Sequence, residues 1–256
     1  HNFSLVHDDI QDQDVERRHQ PTVWHLWGIS KALWSGNAMQ CTGDLSMLNV
    51  AGQSISPATV LRVSEILTES YLEMIQGQCL DLNFESRTDI KADEYLYMIA
   101  CKTGALIRCA LQIGALLATE DETAVKAFAE FGNHLGQVFQ IRDDYLGIWG
   151  DQATLGKATD SDIRRRKKSY PVVFALERAS GTAMEDLLRI YGQKELEEDD
   201  VQRVMAVLDE VGSQENSQRL TEAAAARALE ALKPVSLPRW AQTEAEELVD
   251  FLARRE

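Results

Sequence analysis

Apolar and polar positions follow a helical period almost without a break, and strand-type alternation of useful length is absent. Residues 1–18 read as one helix, with Phe3, Leu5, Val6 and Ile10 as its apolar positions. After Pro21 comes a turn region with Trp24 and Trp27, then a helix over about 30–48. Ser56-Pro57 is a start signal: a hydroxyl suited to cap free amides, then a proline that has no amide to satisfy. The helix it opens runs to about Phe84. Residues 93–118 predict a long apolar helix, 121–150 another, and 151–168 a polar loop. Shorter helices are expected over 170–179 and 183–191, from Asp199 onward and over 223–232. Pro238 starts a last amphipathic segment with Trp240, Leu248, Phe251 and Leu252. No linker interrupts the pattern, so the expectation is an all-α helical bundle, a single domain over residues 1–256.

Composition supports helix: five prolines and fifteen glycines in 256 residues leave few breakers, and 45% hydrophobic content suffices for a sizeable core. The net charge of −15 argues against a nucleic-acid partner, because phosphate backbones select positive surface. No stretch approaches about 18 uninterrupted apolar residues and no signal peptide opens the chain, so no stable membrane insertion is expected. Cys41, Cys79, Cys101 and Cys109 lack Cys-x-x-Cys spacing and sit in apolar helical contexts, which fits a reducing cytoplasm. His1 falls inside what already reads as a helix, so the chain is expected to lack N-terminal helices.

Two acidic clusters interrupt apolar runs. Asp8-Asp9-Ile10-Gln11-Asp12 follows Leu5-Val6-His7, and Asp143-Asp144 lies between Val138-Phe139-Gln140-Ile141-Arg142 and Tyr145-Leu146. Asp8 and Asp12, four apart, share one helix face with Asp9 beside them. Carboxylates beside core-type residues call for a cationic partner, and hard oxygen donors in this number favour Mg²⁺ bridged to a phosphate. The alternative is a solvated acidic surface, and it holds equally for Asp143-Asp144, where the position four residues after Asp143 is Gly147. Asp151 lies beyond the helix end.

Basic residues are scarce enough to be informative. Arg17-Arg18 follow the first cluster. Lys102-Thr103 interrupts an apolar helix, where an unpaired lysine is costly. Gly156-Lys157 and Arg164-Arg165-Arg166-Lys167-Lys168 follow the second cluster. A basic loop run is also ordinary solvated surface, but arginine forks and lysine point charges after an acidic site suit a diphosphate.

The first cluster with Arg17-Arg18 resembles the first aspartate-rich motif of the trans-isoprenyl diphosphate synthases, and Phe139-Gln140-Ile141-Arg142-Asp143-Asp144-Tyr145-Leu146 resembles the second. Gly156-Lys157, Ser161-Asp162 and Lys167-Lys168-Ser169 resemble the segment that follows it. Gly77-Gln78, Asp81 and Lys102-Thr103 resemble signatures between the motifs. The similarity is ordered and covers roughly residues 1–180. It implies the isoprenoid synthase fold, a helical bundle around a deep apolar cavity, usually a homodimer. It further implies that Asp8, Asp12 and Asp143 bind Mg²⁺, a cluster of about three ions, with Asp9 and Asp144 in support. Arg17, Lys102, Lys157 and Lys167 would hold an allylic prenyl diphosphate, and Arg18 would lie toward isopentenyl diphosphate. Thr103 and Gln140 would stabilise the allylic cation. Two departures stand out. The family commonly carries a third aspartate where this chain has Gly147, and the Gly-Lys-x-x-Arg segment that grips isopentenyl diphosphate lies upstream of the first motif, beyond His1.

The implied reaction is Mg²⁺-dependent ionisation, condensation and elimination, with the basic loop 157–168 as a candidate lid. An aromatic at Phe3 and a small residue at Ser4, with no insertion in the first motif, resemble geranylgeranyl (C20) synthases, with C15 or C25 open. Phe3 lies about 7–8 Å from Asp8 along a helix axis, where its ring could be a floor for the growing chain or simply core. The alternatives are a terpene cyclase on the same scaffold and a non-catalytic synthase subunit.

Overall fold

A computed structural model describes residues 1–49, 55–150 and 160–255. The chain divides into two compact units, His1–Thr68 and Glu69–Glu256.

In the first unit, α1 (Asn2–Gln11) is shorter than the expected 1–18 helix. Asp12 closes it, its amide donating to the Asp8 carbonyl at 2.8 Å, and Gln13 turns into the left-handed region at φ 56°. The chain then reverses in a hairpin of β1 (Glu16–Arg17) and β2 (Gln20–Pro21), with Glu16 opposite Pro21 and Arg17 opposite Gln20. Its two loop residues, Arg18 and His19, both have positive φ, 52° and 60°. That is the primed geometry that matches strand twist. Neither residue type announces such a turn, so periodicity alone continued the helix. Thr22 Oγ1 and Trp24 Nε1 both donate to the Asp14 carbonyl, at 2.7 and 2.8 Å, and pin the exit. The expected Trp-rich turn is itself a short helix, α2 (Val23–Trp27), followed by α3 (Ile29–Leu48). Helix α1 packs on α3, burying Phe3 and Ala32. The expected cap is present: Ser56 Oγ accepts from the Thr59 amide at 3.1 Å at the start of α4 (Pro57–Phe84), which runs on into the second unit.

The second unit interrupts the predicted 93–118 helix. α5 (Ala92–Ile99) passes through a π-helical turn, Ala100–Gly104, into α6 (Ala105–Ala118). By length and composition the run Ala92–Ala118 could cross a membrane, yet Lys102 and Arg108 within it each hold a carboxylate of α4, Asp81 and Glu73, at 2.6 Å. α7 (Glu122–Trp149) is capped by Asp121, whose side chain accepts from the Thr123 amide at 2.8 Å. Its buried positions, among them Phe131, Leu135, Val138, Ile141 and Ile148, repeat at helical spacing and pack against α6 on one side.

The expected loop contains a short helix, α8 (Ser161–Arg164); residues 151–159 lie outside the described part. Next come α9 (Tyr170–Arg178), α10 (Gly181–Tyr191), α11 (Glu198–Glu210), α12 (Ser213–Ala231) and α13 (Arg239–Arg254). Helix α12 packs along α7 and begins well before the predicted 223–232. Its first turns bury Ser213, Ser217 and Thr221, which look like loop chemistry. The Ser217 and Thr221 hydroxyls instead donate to carbonyls four residues back, at 2.7 and 2.9 Å, so small polar residues fit inside a packed helix. One apolar cluster, with Phe84, Ile90, Ile99, Ile141 and Val173, surrounds the second acidic motif. Each fully buried Ile or Phe contributes about 1.5–3 kcal/mol.

Candidate active site

The two aspartates of the second motif point different ways. Successive helical residues are about 100° apart, so Asp144 falls on the buried stripe with Ile141 and Ile148 while Asp143 turns outward. Asp144 is fully buried and saturated with donors. Tyr95 Oη donates to Oδ2, as does the Tyr170 amide at 3.0 Å; Gln140 Nε2 and Lys167 Nζ donate to Oδ1 at 3.2 and 3.1 Å. Burial, and then the Asp144 charge, push the Tyr95 phenol well above its ordinary pKa, so it remains a donor. Burial opposes the Lys167 charge, but Asp144 first and then Asp162, Asp143 and Asp81 hold its pKa well above 10.5. Asp143 has a side chain 52% exposed, with Arg255 Nη2 3.3 Å from its carboxylate.

Gln140 extends this array: its Oε1 accepts from Thr103 Oγ1 at 2.7 Å. Thr103 and Lys102 sit on the π turn, where one extra residue per turn re-aims side chains, a device common at functional sites. The lysine that interrupted an apolar pattern is paired, Nζ to Asp81 Oδ2 at 2.6 Å. Gly77 permits this approach, because a Cβ there would run into the backbone of Lys102. Lys102, Thr103, Gln140, Asp144 and Lys167 are thus brought together within the second unit.

In the first unit the hairpin carries Arg17 back onto α1. Its Nε lies 2.6 Å from Asp9 Oδ1 and its Nη2 3.0 Å from Asp8 Oδ2. Burial opposes the guanidinium charge; the hydrogen bond to Asp9, that residue's charge and Asp8 outweigh it and raise the pKa. Asp9 is buried, whereas Asp8 keeps a side chain 23% exposed and Asp12 is exposed at the helix end. Arg18 is exposed at the hairpin tip. Phe3 is buried edge-on to His7, ring centroids 6.0 Å apart, and Ser4 Oγ donates to the His1 carbonyl at 2.7 Å.

Of the basic run, Lys167 is placed at the Asp144 array. Arg164 pairs with Asp160 and Glu198, Arg166 donates to the Gln193 carbonyl, and Lys168 donates to the Glu85 carbonyl at 3.2 Å beneath the Tyr191 ring. Ile163 and Lys168 are buried while Arg164 and Arg165 are exposed, and residues 157–159 of the candidate lid lie outside the described residues. Lys157, Gly156 and Asp151 lie outside the described residues.

Sequence reasoning missed Tyr95, Tyr170 and Arg255. Arg255 stacks over Phe139 and donates to its carbonyl at 3.1 Å, while Arg142 donates to the Arg255 carbonyl at 2.7 and 2.9 Å. Burial lowers the Arg255 pKa, against the pull of Asp143. Two adjacent arginines, Arg254 and Arg255, in a chain short of positive charge were the available signal for Arg255.

Among the described residues, no three acidic, histidine or cysteine side chains converge as a ready ion cage. The partly exposed oxygens of Asp8 and Asp143 suit Mg²⁺ all the same, since that ion keeps waters and binds through one or two carboxylates plus substrate phosphates. A cleft of about 520 Å³ on the second unit is lined by Glu122, Lys126, Glu130, His134, Arg227 and Glu230, none of them a motif residue.

Comparison with known proteins identifies the family. The polyprenyl synthetase family model matches residues 1–208, and the chain belongs to that family. It is 44% identical over 176 residues to a (2E,6E)-farnesyl diphosphate synthase of Mycobacterium tuberculosis, covering 69% of this chain and 48% of that protein. Among solved structures it resembles a geranylgeranyl pyrophosphate synthetase from Pyrococcus horikoshii, with TM-score 0.93 and 33% identity, over 100% of this chain and 76% of that one. It also resembles a polyprenyl synthase from Caulobacter crescentus complexed with calcium and isoprenyl diphosphate, with TM-score 0.87 and 28% identity, over 100% and 76%. The all-α fold is that of these neighbours. The chain spans about half the length of the Mycobacterium relative.

Proposed function

We propose that the protein is a trans-prenyltransferase that condenses an allylic prenyl diphosphate with isopentenyl diphosphate, giving geranylgeranyl diphosphate. The observation that carries the reading is the array of Lys102, Thr103, Gln140, Asp144 and Lys167, joined across distant sequence beside the exposed Asp143. In this reading Asp8, Asp12 and Asp143 bind Mg²⁺; Asp9 and Asp144 hold the neighbouring cations in place. When bound, Mg²⁺ supplies positive charge to the leaving diphosphate oxygens.

Lys102 and Lys167, each held by a carboxylate, add preplaced positive charge to the leaving group, so its departure needs little reorganisation; the reading also assigns Arg17 and Lys157 to the allylic diphosphate. The carbon–oxygen bond of the allylic diphosphate breaks, leaving an allylic cation. Gln140 and Thr103 present their oxygens to that cation, which the reaction requires to be kept from water. The double bond of isopentenyl diphosphate attacks, and the proton then lost passes to the released diphosphate. Arg18 lies on the isopentenyl diphosphate side.

A C20 product is supported by Phe3, buried on α1 before the first motif, and by a relative named for the same product. A relative named for farnesyl diphosphate makes C15 the natural rival. The reading includes a homodimer, for which Leu72, Ile75 and Tyr97 offer exposed apolar surface on α4 and α5. It also places the protein in the cytoplasm, which its four free thiols suit.

The test is incubation of the full-length protein with labelled isopentenyl diphosphate, an allylic starter and Mg²⁺, followed by product sizing. A longer linear diphosphate is expected. A cyclic hydrocarbon would identify a cyclase, and no diphosphate release by the protein alone would identify a non-catalytic subunit. Asp8→Ala and Asp143→Ala are each expected to abolish turnover with helicity intact.

A further inference from the structure

Tyr95 is a phenol set among hydrocarbon. It lies on the buried stripe of α5 with Met98 and Ile99, 1% exposed, in the apolar cluster that holds Phe84, Ile90 and Ile141. A hydroxyl in such surroundings is costly unless it is hydrogen-bonded. Its partner is Asp144 Oδ2, brought in by α7 from 49 residues further along the chain. An ionised carboxylate only accepts, so the phenol donates.

A carboxylate offers about four acceptor sites, two on each oxygen, and donors meet all of them at Asp144. Tyr95 Oη and the Tyr170 amide fill Oδ2. Gln140 Nε2 at 3.2 Å and Lys167 Nζ at 3.1 Å share Oδ1. The two sides differ in exposure. Tyr95 and Tyr170 are buried, whereas Gln140 is half-buried and the Lys167 side chain is 37% exposed. The groups on Oδ1 are those that the proposed function directs at the substrate, Lys167 to the diphosphate and Gln140 to the cation.

The filling of Oδ2 has a consequence for Lys167. Were that oxygen open, the ammonium would gain by turning onto it, since a charge-assisted bond outweighs a neutral one. Its charge would then sit deeper and further from a diphosphate. Lys167 Nζ also stands 3.6 Å from the Asp162 carboxylate, too long a contact to hold it against that pull.

We propose that Tyr95 is a positioning residue of the prenyl-transfer site: with the Tyr170 amide it closes Oδ2 of Asp144, confines Lys167 and Gln140 to Oδ1, and so keeps the lysine charge at the diphosphate. Tyr95 touches no substrate itself and acts through Asp144. The inference rests on the proposed function, which assigns Lys167 to the allylic diphosphate.

The experiment is a double-mutant cycle on the full-length protein, read by calorimetric binding of inorganic pyrophosphate in the presence of Mg²⁺. Tyr95→Phe keeps the ring and deletes the hydroxyl. It is expected to weaken pyrophosphate binding about fivefold, a size common for coupled neighbours. Lys167→Met removes the charge and is expected to weaken binding about tenfold or more, as the loss of a hydrogen bond to a charged group does. In the Lys167→Met background, Tyr95→Phe is expected to have no further effect, because the group it positions is gone. Loosening of the core alone would weaken binding by the same factor in both backgrounds. Thermal unfolding shows which variants are folded at the assay temperature. Tyr95→Leu, a second deletion of the hydroxyl, is expected to give the same cycle and takes the place of Tyr95→Phe if that variant does not fold.

If the hydroxyl deletion binds pyrophosphate like the parent, or loses the same factor in both backgrounds, the inference is overturned. Lys167→Met separates that failure from a failure of the proposed function. Weakened binding by Lys167→Met beside parent-like binding by Tyr95→Phe removes Tyr95 alone from the site. Parent-like binding by Lys167→Met removes the diphosphate assignment of Lys167, and the inference with it.

Discussion

The Lys102 ammonium stands 2.6 Å from the Asp81 carboxylate, an ion pair that ties the π turn to α4 over the missing side chain of Gly77. Both side chains are only a quarter exposed, so the pair fixes the direction of Lys102 more than it adds stability. Asp81→Asn keeps the shape and removes the counter-charge. Its expected effect is a rise of about fivefold in KM for the allylic diphosphate, equivalent to about 1 kcal/mol, with kcat little changed. Steady-state kinetics decide it; a normal KM beside a large loss of stability would show that the pair serves folding alone.

Asp143 and Asp144 are chain neighbours whose loss should cost very different amounts of stability. Asp144→Ala strips Tyr95, Gln140, Lys167 and the Tyr170 amide of their acceptor and leaves a lysine charge without its nearest anion. Breaking a buried, hydrogen-bonded charge in this way costs about 3–5 kcal/mol. Asp143→Ala loses one long contact at a half-exposed carboxylate, which costs under about 1 kcal/mol. Urea unfolding should therefore separate the two variants clearly, while both lose turnover. Equal destabilisation by the two would contradict the division between a buried, hydrogen-bonded aspartate and a half-exposed one.

What could be read from the chain beforehand was whatever is local. Ser56 and Asp121 stand at the expected helix starts and cap them, because capping depends on residues two or three apart. Lys102 announced itself as a charge in an apolar run. The hairpin at 16–21 did not, since Arg18 and His19 adopt positive φ without being turn formers; Arg17 must come back to Asp8 and Asp9 for that geometry to be repaid. Nor did the π turn, because the run after it, 105–118, is apolar on nearly every face and hides the shift in phase that one extra residue causes. Tyr95, Tyr170 and Arg255 were invisible for a different reason: which distant donor reaches a buried carboxylate is settled by tertiary packing, and no spacing records it.

Lys167 gives the site a pH signature. Its folded pKa is raised above the unfolded value of 10.5, so the folded state holds this proton more tightly. The stabilisation this brings is complete below about pH 10 and is lost as pH climbs through the folded pKa. The difference in unfolding free energy between parent and Lys167→Met should be constant from about pH 7 to 9 and shrink above about pH 10.5. A difference that stays flat through that upper range would mean that Lys167 and Asp144 are not coupled as their 3.1 Å separation implies.

Phe3 is the residue that the proposed C20 product makes most testable. Its ring is buried, edge-on to His7, on α1 and several residues before Asp8. Phe3→Ala should cost about 3–5 kcal/mol as a core deletion whatever its other role, so stability alone cannot distinguish a floor from packing. Product size can. If the ring blocks the growing chain, Phe3→Ala shifts the distribution to longer prenyl diphosphates, and Phe3→Leu, which keeps much of the volume at a smaller stability loss, shifts it less. Both should be assayed well below their unfolding midpoints, with chain length read by mass. A variant that loses stability by the expected amount yet makes products of the parent length would leave Phe3 as core and return the length-setting role to another residue.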